Sequence, residues 1–312
     1  NKPLHLPTIG IIDLHNDEID TTGFPAQSLR VALQGIYTGC LDRIIYAEVK
    51  FGDLSKPRQL KKVKDRQEAV LKRMAFLDEV VIVFSTHSDN SSGDIIYRDG
   101  VGALSIKEFF EGVIGVLMTG LKASRATVSM FLLTCAGAMT NKESREMIKD
   151  ATKDYSIRRS FAFPALALFP HRTSAFINEA VFTFILHKED EADAMLRVLG
   201  DCVATGRHTP VYSFVRGVIT AFTWSNPKYR PWGLYLPFQC PTCHTWWSWN
   251  EGKNVPPNSK TGVEGHTEFE CKGKTSKGIR CEAKFIAPRN ACGSYVKGTH
   301  SGWLQKILFE PK

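Results

Sequence analysis

Two apolar runs restrict this chain more than any other feature. The first is Glu79-Val80-Val81-Ile82-Val83-Phe84-Ser85-Thr86-His87, and the second is Ala126-Thr127-Val128-Ser129-Met130-Phe131-Leu132-Leu133-Thr134-Cys135-Ala136-Gly137. Both are too short to cross a bilayer. They are also too continuously apolar for a sheet with one wet face. Short β-branched runs of this kind suit strands buried on both faces, which means a mostly parallel sheet covered by helices. Each run delivers a reactive residue to its C-terminal end, and chemistry in open α/β sheets collects at the carboxyl ends of the strands. His87 and Cys135 are therefore the leading candidates for catalysis. An imidazole beside a thiol helps to generate the thiolate that attacks a carbonyl.

The surrounding pattern alternates strand and helix. Ile44–Val49 reads as a strand, Arg66–Leu77 as an amphipathic helix, and Asn141–Lys149 as a further helix. After His87 come a polar loop and a short ribbon, Asp94–Tyr97, turning at Arg98-Asp99-Gly100, where Asp-Gly is a turn signal. Ser105 with Glu108 forms a capping box for a helix expected to run to about Leu117. Phe161–Phe169 reads as another strand, with Pro164 suggesting an edge or bulge. Ser174–His187 and Glu189–Cys202 read as two helices broken near Lys188. The expected fold class is α/β: a three-layer domain with a mostly parallel sheet over residues 1–226, and a small β-rich module over 227–312.

Charge divides the chain at the same place. Of a formal net charge of +8, residues 227–312 carry +7, from 13 Lys/Arg and 6 Asp/Glu. Affinity for an acidic partner therefore attaches to the tail. Five of the eight cysteines also lie there, while Cys40, Cys135 and Cys202 are scattered, with Cys40 and Cys202 read as structural. This argues against a disulfide framework and for a reducing compartment, cytoplasmic or nuclear. No run is long enough for a transmembrane segment. The start at Asn1, without a Met or an apolar leader, suggests an excerpt of a longer chain.

Phe84-Ser85-Thr86-His87-Ser88, the Gly93–Gly100 ribbon leading to Leu104-Ser105, and Leu132-Leu133-Thr134-Cys135-Ala136-Gly137 together resemble the caspase-like fold. Within that fold they resemble the CHAT branch of cysteine peptidases, related to caspases and separases. The resemblance covers roughly residues 40–205. It implies a Cys135 nucleophile, a His87 general base, and an oxyanion site made by the backbone amides of Ser88 and Cys135. It also implies a protein substrate, often with a basic residue before the scissile bond. Asp42 and Asp89 are weak candidates for the carboxylate that would receive that residue. The sequence departs from the pattern at Ser88, where the family usually has Gly. A side chain there restricts the approach of a substrate carbonyl.

In the tail, Cys240-Pro241-Thr242-Cys243 is a C-x-x-C knuckle, and Cys271 with Cys281 is the second pair. Four thiolates suit a closed tetrahedral Zn²⁺ site, structural in role. The segment resembles a zinc ribbon with an inserted basic loop, Lys272–Gly278. Cys292 or His266 could replace one ligand. Trp246, Trp247 and Trp249 among cations fit either packing of the ribbon against the α/β domain or contact with single-stranded nucleic acid or a protein groove, with packing favoured. The alternative to a peptidase is therefore an inactive α/β scaffold whose basic zinc module binds nucleic acid or a protein partner.

Other residues invite over-reading. Asp13-Leu14-His15-Asn16-Asp17-Glu18 holds potential metal ligands but reads as a solvated acidic loop, and His171-Arg172 reads as a helix-start loop.

Overall fold

The computed structural model describes residues 6–98, 100, 102–134, 137–165, 168–226, 230–237, 239–246, 248–257, 265–289, 294–297 and 302–309. Among these the chain forms two compact units, residues 1–220 with 308–312, and residues 221–307.

The first unit begins with β1 (Ile9–Asn16), α1 (Pro25–Ile36), β2 (Ile44–Phe51), α2 (Pro57–Arg73) and β3 (Glu79–Ser85). A small three-stranded sheet follows, made of β4 (His87–Ser88), β5 (Ile95–Arg98) and β6 (Gly102–Leu104). The chain continues through α3 (Ile106–Glu108), a π-turn at Phe109–Val113 and α4 (Gly115–Ala123) into β7 (Thr127–Leu133). Next come α5 (Gly137–Thr140), α6 (Lys142–Asp154), β8 (Arg159–Ala162), α7 (Ser174–Val181), a second π-turn at Phe182–Leu186, α8 (Glu191–Asp201) and α9 (Val203–His208). Strand β9 (Val211–Val215) follows beside β8, and β10 (Val218–Ser225), paired with β9, leads into the second unit.

The main sheet of the first unit runs in the order β9-β8-β7-β3-β1-β2. Strands β2, β1, β3, β7 and β8 are parallel, and β9 is antiparallel to β8. The fold is thus mixed α/β with a large, mostly parallel sheet. Alternation decides which side chains meet which helices. One face presents Ile12, Leu14, Val80, Ile82, Phe84, Val128, Met130 and Leu132, packed with Val63 and Val70 of α2, Leu117 of α4 and Ile148 of α6. On the other face Phe131 stacks on Phe161, which meets Phe176 of α7 and Phe184 of the second π-turn.

Local chemistry sets several element ends. Pro25 and Pro57 occupy first-turn positions of α1 and α2, where the missing N–H costs nothing. The Asn141 side chain accepts from the amides of Glu143 and Ser144, and Asp190 accepts from Ala192. The Ser105–Glu108 capping box forms as the sequence predicts. The helix it starts does not run unbroken to Leu117: it widens into the π-turn and restarts at Gly115. Buried Gln67 stitches that break, donating to the Val113 carbonyl at 2.7 Å and accepting from the Leu117 amide at 2.8 Å.

Three expectations shift. Asp13, His15 and Asn16 are not in a solvated loop but in β1, each 1% exposed. Among the described residues the strand expected over Phe161–Phe169 pairs over Arg159–Ala162, just before Pro164, which has no amide N–H to extend a ladder. The Pro- and Trp-rich stretch Trp224–Pro237, expected as a linker between the two domains, begins inside β10, which holds Trp224.

Strand β2 is one edge of the main sheet. Its outward carbonyls at Tyr46 and Lys50 accept from Arg73 and Arg66 of α2, at 3.2 and 3.0 Å.

The second unit holds β11 (Lys253–Val255), β12 (His266–Glu270) and β13 (Lys284–Pro288) as an antiparallel sheet. Strands β14 (Ser294–Lys297) and β15 (Gly302–Phe309) form an antiparallel pair, with β15 beside β10. Among the described residues, no helix is long and apolar enough to cross a membrane.

Candidate functional site

Strands β3 and β7 are direct neighbours, paired in register from Glu79↔Thr127 to Ser85↔Leu133. Parallel strands lie about 4.8 Å apart, so the segments leaving their C-terminal ends start side by side. Those segments are also clamped together. The Thr86 amide donates to the Leu133 carbonyl at 3.2 Å. The Ala138 amide donates to Ser88 Oγ at 3.2 Å. Gly137 passes so close to the Ser88–Asp89 segment that a Cβ on it would sit 1.7 Å from the Asp89 carbonyl oxygen, so only glycine fits there.

His87 is exposed and lies in register with Ile96 of the ribbon. Cys135, the proposed nucleophile and second oxyanion amide, lies outside the described residues. The ribbon beside His87 is fixed to the main sheet from two sides. The Asn16 side-chain amide donates to the carbonyls of Ile96 and Tyr97, at 3.2 and 2.9 Å, and the Thr86 hydroxyl donates to the Ile96 carbonyl at 3.2 Å.

Ser88, where the resemblance expects glycine, is 5% exposed, and its hydroxyl holds the Ala138 amide. The hydroxyl is therefore turned to the neighbouring loop, and it occupies an amide that follows the candidate nucleophile.

The two carboxylates considered for a substrate pocket fare differently. Asp42 sits in a 3₁₀ turn, Leu41–Arg43, at the N-terminal end of β2. His87 follows the C-terminal end of β3. With eight residues in β2 at about 3.3 Å each, Asp42 is at the wrong edge of the sheet for a shared pocket. Asp89 is beside His87, but its Oδ1 accepts from the amides of Ser91 and Ser92, both at 2.8 Å, and from the Ser91 hydroxyl at 2.5 Å. The Ser91 hydroxyl and these amides hold its carboxyl down to about 2. It organises the loop 89–93 rather than facing a ligand.

In the second unit Cys240, Cys243, Cys271 and Cys281 come together, each offering a sulfur within 4.8 Å of the others. Cys240 Sγ and Cys281 Sγ are 3.8 Å apart, and Cys243 Sγ and Cys271 Sγ are 3.5 Å apart. Four sulfurs about 2.3 Å from a tetrahedral Zn²⁺ would stand ~3.8 Å from one another, so the donor set fits the ion. Supporting donors are in place as well. The Thr242 amide donates to Cys240 Sγ at 3.4 Å, and the Gly273 amide donates to Cys271 Sγ at 3.3 Å. A Cβ at position 273 would meet Cys243 Sγ at 2.6 Å, which accounts for glycine there. Hydrogen bonds with the Thr245 hydroxyl and backbone lower the Cys243 thiol from its ordinary range, while burial pushes the Cys271 thiol up.

His266 lies in β12, paired with Pro288, and is not in this group; Cys292 lies outside the described residues. Trp249 packs on the cysteine cluster, 6.2 Å from the Phe285 ring, and donates from Nε1 to the Pro237 carbonyl at 2.7 Å. Trp246 is 61% exposed, and Trp247 lies outside the described residues. His171 sits in the 3₁₀ turn Pro170–Thr173 against Phe169, as the loop reading expected.

Sequence reasoning sets one cluster aside as a solvated loop and does not connect it with Glu48. Asp13, His15 and Glu48 each offer a ligand atom within 4.8 Å of the others, across β1 and β2. The spacing Asp13-Leu14-His15 was visible, and alternation would have put both residues on one face had the segment been read as a strand. No protein-family model matches the chain, and no curated protein matches its sequence.

Proposed function

We propose that residues 1–220 are a cysteine peptidase in which Cys135 is the nucleophile and His87 the general base. The observation that carries this reading is the in-register pairing of β3 and β7, with the loops that follow them locked by the Ala138–Ser88 hydrogen bond and the Gly137–Asp89 approach. An acyl-transfer site needs its base held against its nucleophile's loop, and these contacts supply that restraint. In the reaction, His87 takes the Cys135 proton and the thiolate attacks the substrate carbonyl. The tetrahedral intermediate collapses to a thioester as His87 protonates the departing amine. Water, deprotonated by the same imidazole, then releases the acid and restores the thiol.

A peptide carrying an acyloxymethyl-ketone warhead tests this reading in wild type, Cys135→Ala and His87→Ala. Labelling at Cys135 that falls at least about a hundredfold in His87→Ala is the expected result. Labelling indifferent to His87, or none at all, overturns it and favours the inactive scaffold.

In the second unit the four cysteines serve a structural Zn²⁺ ion. All four ligand positions come from protein and three of the cysteines are buried, which leaves no open position for chemistry. When bound, the ion supplies cross-linking energy that this small unit lacks in apolar core.

A further inference from the structure

We propose that Asp13, His15 and Glu48 bind a divalent transition-metal ion of the Zn²⁺ kind, at a site separate from the four cysteines. Three features of the first unit point to it.

The first is geometry. His15 is 1% exposed in the second strand of the sheet order, with a carboxylate at each ring nitrogen: Nδ1 is 3.3 Å from Asp13 Oδ1, and Nε2 is 3.5 Å from Glu48 Oε1. An ion about 2.1 Å from both Nε2 and Glu48 Oε1 would see them at a near-tetrahedral angle. Asp13 sits at the other ring nitrogen, where it orients the imidazole, and offers an oxygen within 4.8 Å of the other two ligand atoms, so a small turn of the side chains would bring it to the ion.

The second is support. The Tyr46 hydroxyl donates to Asp13 Oδ2 at 2.8 Å. A carboxylate whose far oxygen is fixed in this way has its near oxygen oriented, as ligating carboxylates usually do.

The third is an orphan. Ser85 is the β3 partner of His15 and shares its face of the sheet. It is 2% exposed, and its Oγ has no hydrogen-bond partner among the described residues. A buried hydroxyl without a partner marks the place of a water or an ion. A metal-bound water beside His15 would satisfy it.

Glu48 and Lys50, 38% and 44% exposed, form the entrance. Lys50 Nζ lies 3.2 Å from the same Glu48 oxygen that would ligate. Lysine therefore competes with the metal, and its exposure lets the ammonium swing into water when the ion enters.

This competition gives a test that a folding defect cannot mimic. Full-length protein, stripped of metal under reducing conditions, is titrated with Co²⁺ and then with Zn²⁺, with metal counted per chain. The cysteine site shows thiolate-to-cobalt charge transfer. The proposed site adds a second equivalent whose spectrum lacks it. Glu48→Gln, at the rim, is expected to weaken the second equivalent by at least about tenfold, and Lys50→Gln to tighten it severalfold, with the thiolate signal unchanged in both. Saturation with only thiolate-type binding overturns the proposal. So does a second equivalent that neither variant moves. Loss of the thiolate signal alone would count against the cysteine site and leave this one standing.

Discussion

The two units of this molecule solve the same stability problem with different materials. The first buries Tyr37, Phe51, Phe84, Phe109, Phe110, Phe131, Phe161, Phe163, Phe176 and Phe214 completely, on two faces of one sheet. The second has Phe269 as its one fully buried aromatic side chain among the described residues, with Phe222, Trp224 and Trp303 at 2–4% exposure, and sets three buried cysteines together. A large unit can pack its way to stability, whereas a small one needs a staple. The same contrast governs the two candidate sites. His87 is positioned by a sheet that exists for packing reasons, while the cysteine cluster, loaded with the proposed ion, would itself hold its surroundings together.

The sharpest way to break this comparison is to remove metal. Chelation, or Cys271→Ser, is expected to unfold residues 221–307 and leave the first unit's cooperative transition in place. Structural Zn²⁺ in small modules carries about 10–16 kcal/mol of apparent binding energy. Limited proteolysis with mass mapping reads the outcome. Cuts confined to residues 221–307 support the contrast, and an unchanged pattern ends it.

A smaller effect tests the first unit from within. Arg159 and Glu191, 3% and 5% exposed, meet at 2.6 Å, and Arg159 also donates to Ser129 Oγ at 3.1 Å. Glu191→Gln strands a buried guanidinium and is expected to cost about 3–5 kcal/mol in urea unfolding. Arg159→Met with Glu191→Leu removes both charges and should recover a large part of that loss. If the double variant is as unstable as Glu191→Gln, the pair contributes more than mutual neutralisation.

The smallest effect is one of pH. Glu79 opens β3, and burial raises its carboxyl to about 7, against the pull of Arg159, Arg158 and Lys188. Its Oε2 has no partner among the described residues. The folded state therefore holds this proton more tightly than the unfolded chain, so stability is lost as pH rises from the usual carboxylate range to about 7. Glu79→Gln should flatten that slope and raise stability at pH 8 by about 1 kcal/mol. Thermal melts at pH 5 and pH 8 compare the two proteins, and parallel slopes would show that another group titrates.

How far the sequence disclosed this arrangement depends on whether the information was local. The β3 and β7 runs, the ribbon after His87, the Ser105–Glu108 box and the Cys240–Cys243 knuckle are written in short stretches, and each lies where the pattern put it. Strand β1 was not legible because its inward face carries Asp13 and His15. Those side chains are tolerated in the interior only because Tyr46 and Glu48, more than 30 positions away, receive them. Asp42 misled for the related reason that sequence gives a strand's neighbours but not which end of the sheet a flanking residue occupies. Nor could the run Phe161–Phe169 reveal that its ladder stops before Pro164.

The two guanidiniums that α2 lays on the rim of β2 have a consequence for the protein at high concentration. A terminal strand with open carbonyls is a template on which a second chain can build. Here Arg73 and Arg66 already occupy the carbonyls of Tyr46 and Lys50, and charged Glu48 and Lys50 stand between and beside them. Two carbonyls of this edge are thus taken by side chains from its own helix, which disfavours strand addition there without any need to bend the sheet into a barrel.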